Sequence, residues 1–397
     1  MQRTYKYRIY PTARQSEELS GWLETCRRLY NHSLYERKVA YEYAKASLNY
    51  YDQAKTLKAA KQEDTFLKQV HSQVLQDVLK RLDKAFRNFF RRVKAGETPG
   101  YPRFKSHDRY DSFTFPQNGY KIDGDGKLKL SKISGAIKLK QHRALPVDGV
   151  VKTCAVKREA GNQWYVCFVV HLPAVPITQV EAIKEVVGVD LGLNAIATLS
   201  NGEKIPNQKW LRTSARKLAK EQRKLSRKKK GSANRRKQRI QVAKVHQQIT
   251  NQRRDHHHKL SRALVDRYEL IAFEDLKIRN MVRNKYLAKS ISDAGWDQLV
   301  SYTTYKAEEA GKVVVKVDPK GTSQLCSCCG TEVKKTLAVR THKCPVCGLV
   351  MDRDENAALN ILGRGLAKVG QGLPELTPVE MFVGASQKQE ATQLVGW

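Results

Sequence analysis

Four cysteines fix the geometry of one part of this chain before any periodicity is considered. Cys326 and Cys329 form one C-x-x-C pair, fourteen residues follow, and Cys344 and Cys347 form a second. Each pair is followed by glycine, Gly330 and Gly348, which permits the tight turn that aims backbone N–H groups at a thiolate. Four thiolates at this spacing suit a closed, structural, tetrahedral Zn2+ site. The chain over 320–350 is therefore expected to form a small ribbon. Cys328 is one cysteine too many, since its C-x-C spacing to Cys326 fits the knuckle poorly, and it is read as a bystander. His342, two residues before Cys344, is read as a surface residue. Cys26, Cys154 and Cys167 lie among apolar neighbours, a pattern of a reducing cytosol and not of a disulfide framework.

The 397 residues are enough for about two to four domains. Lys and Arg number 73 against 39 acidic residues, a formal net charge of +34. So large an excess repels itself in a compact state, and a polyanion is the expected partner. An anionic membrane surface fits poorly, because the basic stretches lack a wide apolar face. No apolar run reaches the length of a membrane span, and MQRTYKYRIYP has no secretory core segment.

Residues 3–10 alternate as a strand does, and Pro11 ends it. Thr12 and Gln15 make a capping-box pattern that opens a helix with Leu19, Leu23, Cys26 and Tyr30 on one face. Helical character continues to about residue 94. Val70, Val74, Val78, Leu82 and Phe86 recur every four residues, Phe89 and Phe90 extend the stripe as core, and the whole is a bundle of three or four helices. GETPGYP (96–102) breaks the pattern. The short segments SFTF, YKID, KLKL, AIKLK, VVKTCAVKRE and WYVCFVVHL then read as an antiparallel barrel or sandwich completed by the N-terminal strand. From 186, VVGVDLGL, AIATLS and GEKI read as three short strands. Residues 209–239 hold fifteen Lys or Arg and one acidic residue, and with the stretch to 264 they form a basic helical hairpin broken at Gly231-Ser232. The strand YELIAFE, a helix near 293–311, the strand KVVVKVDP, the ribbon and a helix from 353 to about 367 follow. The tail, 368–397, has no periodicity and is expected to be disordered.

Three carboxylate positions stand out. Asp190 ends the apolar run Val186–Val189, with Gly188 and Gly192 leaving room for a nucleic-acid backbone. On the motif alone it is equally a turn residue. Glu274 ends the run Leu270–Phe273. Alternation puts it and Asp275 on opposite faces, so only one can join a site. A third carboxylate lies in DRDE. Asp352 with Glu355 resembles a capping box, which makes Asp352 an N-cap and leaves Asp354 in the first helical turn. Asp354 is taken as the ligand. A strand-borne Asp, a carboxylate ending a distant strand and a third at a helix start match the RNase H-like nuclease plan, in which carboxylates hold Mg2+ or Mn2+ for phosphodiester hydrolysis. Basic residues of ARKLAKEQRKLSRKKKG, among them Arg223, Arg227, Lys228, Lys229 and Lys230, suit phosphate neutralisation. Arg103 and Lys105 lie in GYPRFKS, where aromatic and basic residues interleave.

AFRNFFRRVKAGETPGYPRFKSHDRYDSFTF, GVDLGLNAIATLS, QRKLSRKKKGSANRRK, FEDLKIRNMVRNKYLAKSISDAGW, GTSQLCSCCG and CPVCGLVMDRDENAALNIL together resemble TnpB, the transposon-encoded RNA-guided DNA nuclease related to the ancestors of type V CRISPR effectors. The resemblance covers about residues 3–365. It implies a multidomain α+β fold: a β-barrel wedge domain (1–11 plus 103–182), a helical recognition bundle (12–102), and an RNase H-like (RuvC) α/β nuclease domain (183–319 plus 351–367, with the basic hairpin at 207–264). A zinc-ribbon target-nucleic-acid-binding insert spans 320–350. It implies Asp190, Glu274 and Asp354 as catalytic metal ligands, and it selects Glu274 over Asp275. It implies Mg2+ or Mn2+, Zn2+ and a guide RNA, one protein per guide, and double-stranded target DNA beside a short adjacent motif. Gln73 and Gln76 match the region that reads this motif, and Gln can read adenine. The implied location is the prokaryotic cytoplasm, on the nucleoid when DNA is bound. A DNA transposase with the same carboxylates and a guide-dependent repressor are the competing readings. Relatives of the repressor kind have lost these carboxylates, and this chain keeps all three.

Overall fold

A computed structural model describes residues 2–370 except 160, 174, 177–182 and 337, and the side chain of 108. The predicted disordered tail lies, from 371, outside the described residues. The chain divides into two compact units, Met1–Ala174 and Val175–Trp397.

The first unit opens with strand β1 (Gln2–Tyr10) and helices α1 (Ala13–Ala44), α2 (Tyr50–Glu63), α3 (Thr65–Gln69) and α4 (Ser72–Lys94). Strands β2 (Ser112–Phe115), β3 (Tyr120–Ile122), β4 (Lys127–Leu130), β5 (Ala136–Lys140), β6 (Val150–Glu159) and β7 (Gln163–His171) follow. The sheet is antiparallel in the order β2-β6-β7-β1-β5-β4-β3. The first strand of the chain therefore lies at its centre. The edge strands β2 and β3 have no pairing with each other, so the sheet stops at a half-barrel. The predicted reciprocal capping box of Thr12 and Gln15 starts α1. Tyr5, Tyr7 and Ile9 of β1 share one core with Leu19, Trp22, Leu23 and Cys26 of α1 and Val74, Val78 and Leu82 of α4. Trp22 packs on Phe113 and Phe115 with ring centroids 5.3 and 5.9 Å apart. The predicted apolar stripe of α4 ends sooner than expected. Phe90 is 60 % exposed, because its ring packs on Phe86 and Phe89, which in turn meet Tyr101, in a small aromatic group at the end of α4 outside the main core.

The second unit contains β8 (Val186–Asp190), β9 (Ala195–Leu199), β10 (Lys204–Pro206), α5 (Trp210–Thr213), α6 (Ala215–Ser226), α7 (Ala233–Arg267), β11 (Leu270–Glu274), α8 (Ile278–Met281), α9 (Ala288–Ala294), α10 (Trp296–Glu309), β12 (Val313–Val317), β13 (Thr341–Lys343), β14 (Val350–Asp352) and α11 (Arg353–Val369). Its sheet is mixed, in the order β10-β9-β8-β11-β12. β8 to β10 form an antiparallel meander, and β11 runs parallel to both β8 and β12. All five residues of β11 are buried, as an unbroken apolar run in a central parallel strand requires.

Alternation sorts the two faces. Val187, Val189, Ile271 and Phe273 pack with Leu264 and Val265 of α7 and Leu299 and Val300 of α10. Gly188 and Ala272 face α11. A Cβ on Gly188 would stand 2.0 Å from the Ala358 carbonyl oxygen, and one on Gly365 would stand 2.6 Å from the Ala272 Cβ. Gly188 thus makes room for a helix backbone and not, as the sequence suggested, for nucleic acid. Gly192 makes room for the Ala195 carbonyl, 2.9 Å from where its Cβ would be.

The basic hairpin forms as α6 and α7, joined through Gly231 at φ +85°. Its small core is Leu218, Val245 and Ile249. Arg235 ties the turn by donating from Nη1 to the Leu225 and Lys228 carbonyls at 2.7 and 2.9 Å. No helix among the described residues is long and apolar enough to cross a membrane.

Candidate functional site

Asp190 and Glu274 each lie one step beyond the registered pair Val189–Phe273 on neighbouring parallel strands. They are two residues along from Gly188 and Ala272, so both lie on the sheet face that α11 covers. The third carboxylate is on α11 itself, in its first turn. Asp190 is half-buried. Burial pushes its carboxyl up to about 8, and the nearby Glu274, Asp354 and Asp352 charges add to the shift while Arg353 opposes it. Glu274 is 8 % exposed. Burial raises its carboxyl, against the hydrogen bond from Thr322 and the charge of Arg364. Asp275 is half-buried, and its carboxylate pairs with Lys277.

Asp352 is the N-cap of α11, accepting from the Asp354 and Glu355 N–H groups at 2.9 and 3.3 Å. It also accepts from Lys204 Nζ at 2.6 Å. The reciprocal half of the predicted capping box is not formed: Asp352 closes β14 opposite Thr341, and the Glu355 carboxylate lies against Gly202. Asp354 Oδ1 accepts from Arg353 Nη2 at 2.7 Å and Nε at 3.0 Å. Arg340 Nη1 stands 3.7 Å from its Oδ2. The three carboxylates approach one another less closely than the cysteines do. Among the described residues, Cys326, Cys329, Cys344 and Cys347 are the only group of three or more His, Cys, Asp or Glu side chains whose donor atoms all lie within 4.8 Å of one another.

Burying the Asp190 and Glu274 carboxyls at the ends of neighbouring strands, where burial raises both, is a poor stabilising device. It does suit a hard divalent cation, whose charge would favour the ionised form of both and whose preferred donors are carboxylate oxygens. Arg353 supplies positive charge at Asp354.

The four cysteines present a different donor set. Cys326 and Cys347 sulfurs are 3.6 Å apart, and those of Cys329 and Cys344 are 3.5 Å apart. Sulfurs about 2.3 Å from a common tetrahedral Zn2+ would be separated by about 3.8 Å, so the set fits zinc. Cys328 stands outside it. Gly330 and Gly348 take φ of +73° and +74° after their cysteine pairs, as the knuckle turns require. His342 is not a surface residue. It is fully buried, its Nδ1 meeting Lys335 Nζ, because β13 presents it inward under the ribbon.

Of the remaining sequence candidates, Gln73, Gln76, Arg103 and Lys105 belong to the first unit and the basic hairpin residues to the second. On α4, Gln76 is exposed and lines a cavity of about 630 Å3 with Lys58, Lys61, Lys68 and Lys132. Gln73 bonds to Gln117 Oε1 and to the Asn118 N–H, both at 3.3 Å. Arg103 is exposed, and the Lys105 backbone is held by Asn31 at 2.7 and 2.9 Å. Arg223, Arg227, Lys228, Lys229 and Lys230 gather at the closed end of the α6–α7 hairpin.

Sequence reasoning missed the residues that support the carboxylates: Thr322, Arg353, Asn356 and Asn360. One signal was present. Asn356 and Asn360 sit one turn apart on the otherwise apolar inner side of DENAALNIL, where an amide needs a specific partner.

The fold and its two donor sets define a mixed-sheet protein with a four-cysteine module inserted before α11. Comparison with known proteins agrees. A family model for OrfB of IS605-type elements, described as "Probable transposase", matches residues 154–285. The Cas12f1-like TNB domain matches 296–361. A "Helix-turn-helix domain" matches 1–45, although these residues form β1 and one unbroken helix here. A Streptomyces pristinaespiralis protein described as "Putative RNA-guided DNA endonuclease" is 39 % identical over 98 % of this chain and 96 % of its own length. Escherichia coli InsQ, with the same description, is 33 % identical over 98 % of both. A chain from a Cas12f1–sgRNA–target DNA complex shares the fold, with a TM-score of 0.59 and 13 % identity over 91 % of this chain and 98 % of its own. The chain belongs to the TnpB/OrfB family of RNA-guided DNA endonuclease relatives, related to Cas12f.

Proposed function

We propose that this protein is an RNA-guided DNA endonuclease that takes a transposon-derived guide RNA, finds target DNA beside a short adjacent motif, and hydrolyses phosphodiester bonds at Asp190, Glu274 and Asp354. The observation that carries the reading is the gathering of these carboxylates, from β8, β11 and α11, on one face at one end of the mixed sheet, where the Asp190 carboxyl is pushed up to about 8. The strand order β10-β9-β8-β11-β12 and the places of the three carboxylates support an RNase H-like, RuvC-type reading.

Asp190, Glu274 and Asp354 would hold Mg2+ or Mn2+, which supplies activation of water and stabilisation of the leaving oxygen. Asp352 orients the start of α11 and thereby Asp354. Cys326, Cys329, Cys344 and Cys347 would hold Zn2+ as a structural ion. The excess of 34 positive charges suits an RNA and a DNA bound together, with sequence read by pairing and not by protein contacts to bases. Within this reading, 1–11 plus 103–182 form the wedge domain and 12–102 the recognition domain. Residues 183–319 plus 351–367 form the nuclease domain, and 320–350 the target-binding insert. Gln73 and Gln76 would read the adjacent motif, while Arg103, Lys105 and the hairpin residues contact phosphates.

The family description as a transposase supports a second reading, strand transfer by the same carboxylates without a guide. RNA-stripped protein is incubated with supercoiled target plasmid and Mg2+, with and without guide. Cutting only with the guide, only at matching sites, and lost in Asp354→Ala, is expected. Excision or joining of transposon ends without RNA would establish the transposase instead.

A further inference from the structure

We propose that Thr322 is a positioning residue for the carboxylate site, and that the four-cysteine module reaches that site through it. The proposal rests on the reading of Glu274 as a ligand of a divalent metal ion.

Thr322 is 2 % exposed and lies four residues before Cys326. Its hydroxyl has one proton and two acceptors in reach, Glu274 Oε1 at 2.5 Å and the Pro319 carbonyl at 3.1 Å. The nearer, acidic acceptor takes it. Fixing one carboxylate oxygen fixes the plane in which the other is presented, which is what a metal ligand needs from its support. The β-branched Thr side chain has few rotamers to lose in doing so.

Thr322 is itself held from α11, the helix that carries Asp354. Asn360 Nδ2 donates to the Thr322 and Leu325 carbonyls, both at 2.8 Å. Asn356 is fully buried and grips both sides of Cys326. Its Nδ2 donates to the Leu325 carbonyl at 2.7 Å, and its Oδ1 accepts from the Ser327 N–H at 2.9 Å. One helix therefore carries a carboxylate at its start, clamps the first cysteine knuckle with two amides, and through that knuckle sets the Thr322 hydroxyl on a second carboxylate. A metal held by the four cysteines would fix the knuckle that begins four residues after this hydroxyl, and so would do more than fold a surface ribbon.

The test titrates Mn2+ into the zinc-loaded full-length chain and follows free Mn2+ by electron paramagnetic resonance, with zinc content and thermal melting measured on the same samples. Thr322→Val keeps the shape and removes the donor. It is expected to weaken Mn2+ binding about tenfold with zinc unchanged, and Thr322→Ser to restore affinity to within about threefold. Asn360→Leu frees the Thr322 carbonyl and leaves the hydroxyl in place. It is expected to weaken binding about threefold, and it tests the link if Thr322→Val does not fold. Wild-type affinity in Thr322→Val, or equal loss in Thr322→Ser, would overturn the role of the hydroxyl. Unchanged affinity in Asn360→Leu would overturn the role of the knuckle. Glu274→Gln separates the two levels. If it too binds Mn2+ as the wild type does, the metal-ligand reading has failed. If it loses binding while Thr322→Val does not, only the Thr322 proposal has failed.

Discussion

At Asp190, burial and neighbouring carboxylates both oppose ionisation, and the folded chain keeps its proton up to about pH 8 where an unfolded chain releases it near 3.8. Between those values the native state binds more protons than the unfolded one. The metal-free protein should therefore lose stability as pH rises through that window. Asp190→Asn removes the titrating group. In metal-free buffer it should melt higher than the wild type by about 4–8 °C near pH 8, equivalent to about 2 kcal/mol, with the gap closing toward pH 4. Thermal melts of both proteins across that range check it, and a gap that does not depend on pH would disprove the linkage. Asp352 and Asp354 divide their work differently. Asp352 is committed to two N–H groups and Lys204, whereas Asp354 is held by arginines that a metal ion could displace. Asp352→Ala should cost stability, about 1 kcal/mol for the lost cap, and Asp354→Ala should leave the melting temperature within a degree or two while removing cleavage. Paired melting and cleavage assays distinguish them.

At the scale of elements, α11 lies close to the sheet because β8 and α11 each place a glycine at the contact. Gly188→Ala would set its Cβ 2.0 Å from a helix carbonyl, and backbone cannot turn aside as a side chain does. We expect a loss of at least about 1–3 kcal/mol and weaker Mn2+ binding, since the helix that moves carries Asp354. Wild-type melting and binding would mean that the helix has slack that the structure does not show. The α6–α7 hairpin has a core of only three buried apolar residues and a closed end crowded with like charge, which is unfavourable without phosphate. Changing Arg227, Lys228, Lys229 and Lys230 together to Gln should flatten the slope of log K against log salt for guide RNA by up to about 0.7–0.9 per lost phosphate contact. An unchanged slope would remove the hairpin from the RNA surface.

At the scale of the molecule, each unit has its own core, one built on the half-barrel and α1–α4, the other on the two faces of the mixed sheet, with α7 and α10 on one and α11 on the other. Removing zinc should therefore act unequally. A chelator, or Cys347→Ser, should lower the melting transition of the second unit and open residues 320–350 to protease, and leave the first unit's transition in place. Calorimetry with limited proteolysis reads both, and equal loss in the two units would contradict it.

The sequence alone determined the elements and the cysteine cluster, because both are written in short-range spacing: period two in β1 and β6, period near four along α4, and C-x-x-C twice. It also placed Asp190 and Glu274 at the ends of apolar runs. Only the tertiary structure decided what those ends face. The parallel register of β8 and β11 sets the two carboxylates level, and the close seat of α11 on Gly188 adds Asp354. Gly188 and Phe90 were misread because a glycine's neighbour and the end of a core are set by elements distant in sequence. Thr322 and His342 escaped for the same reason. One hydroxyl in GTSQLC and one imidazole in a polar hairpin look like surface residues until the fold closes over them, and burial then makes each hydrogen bond a constraint.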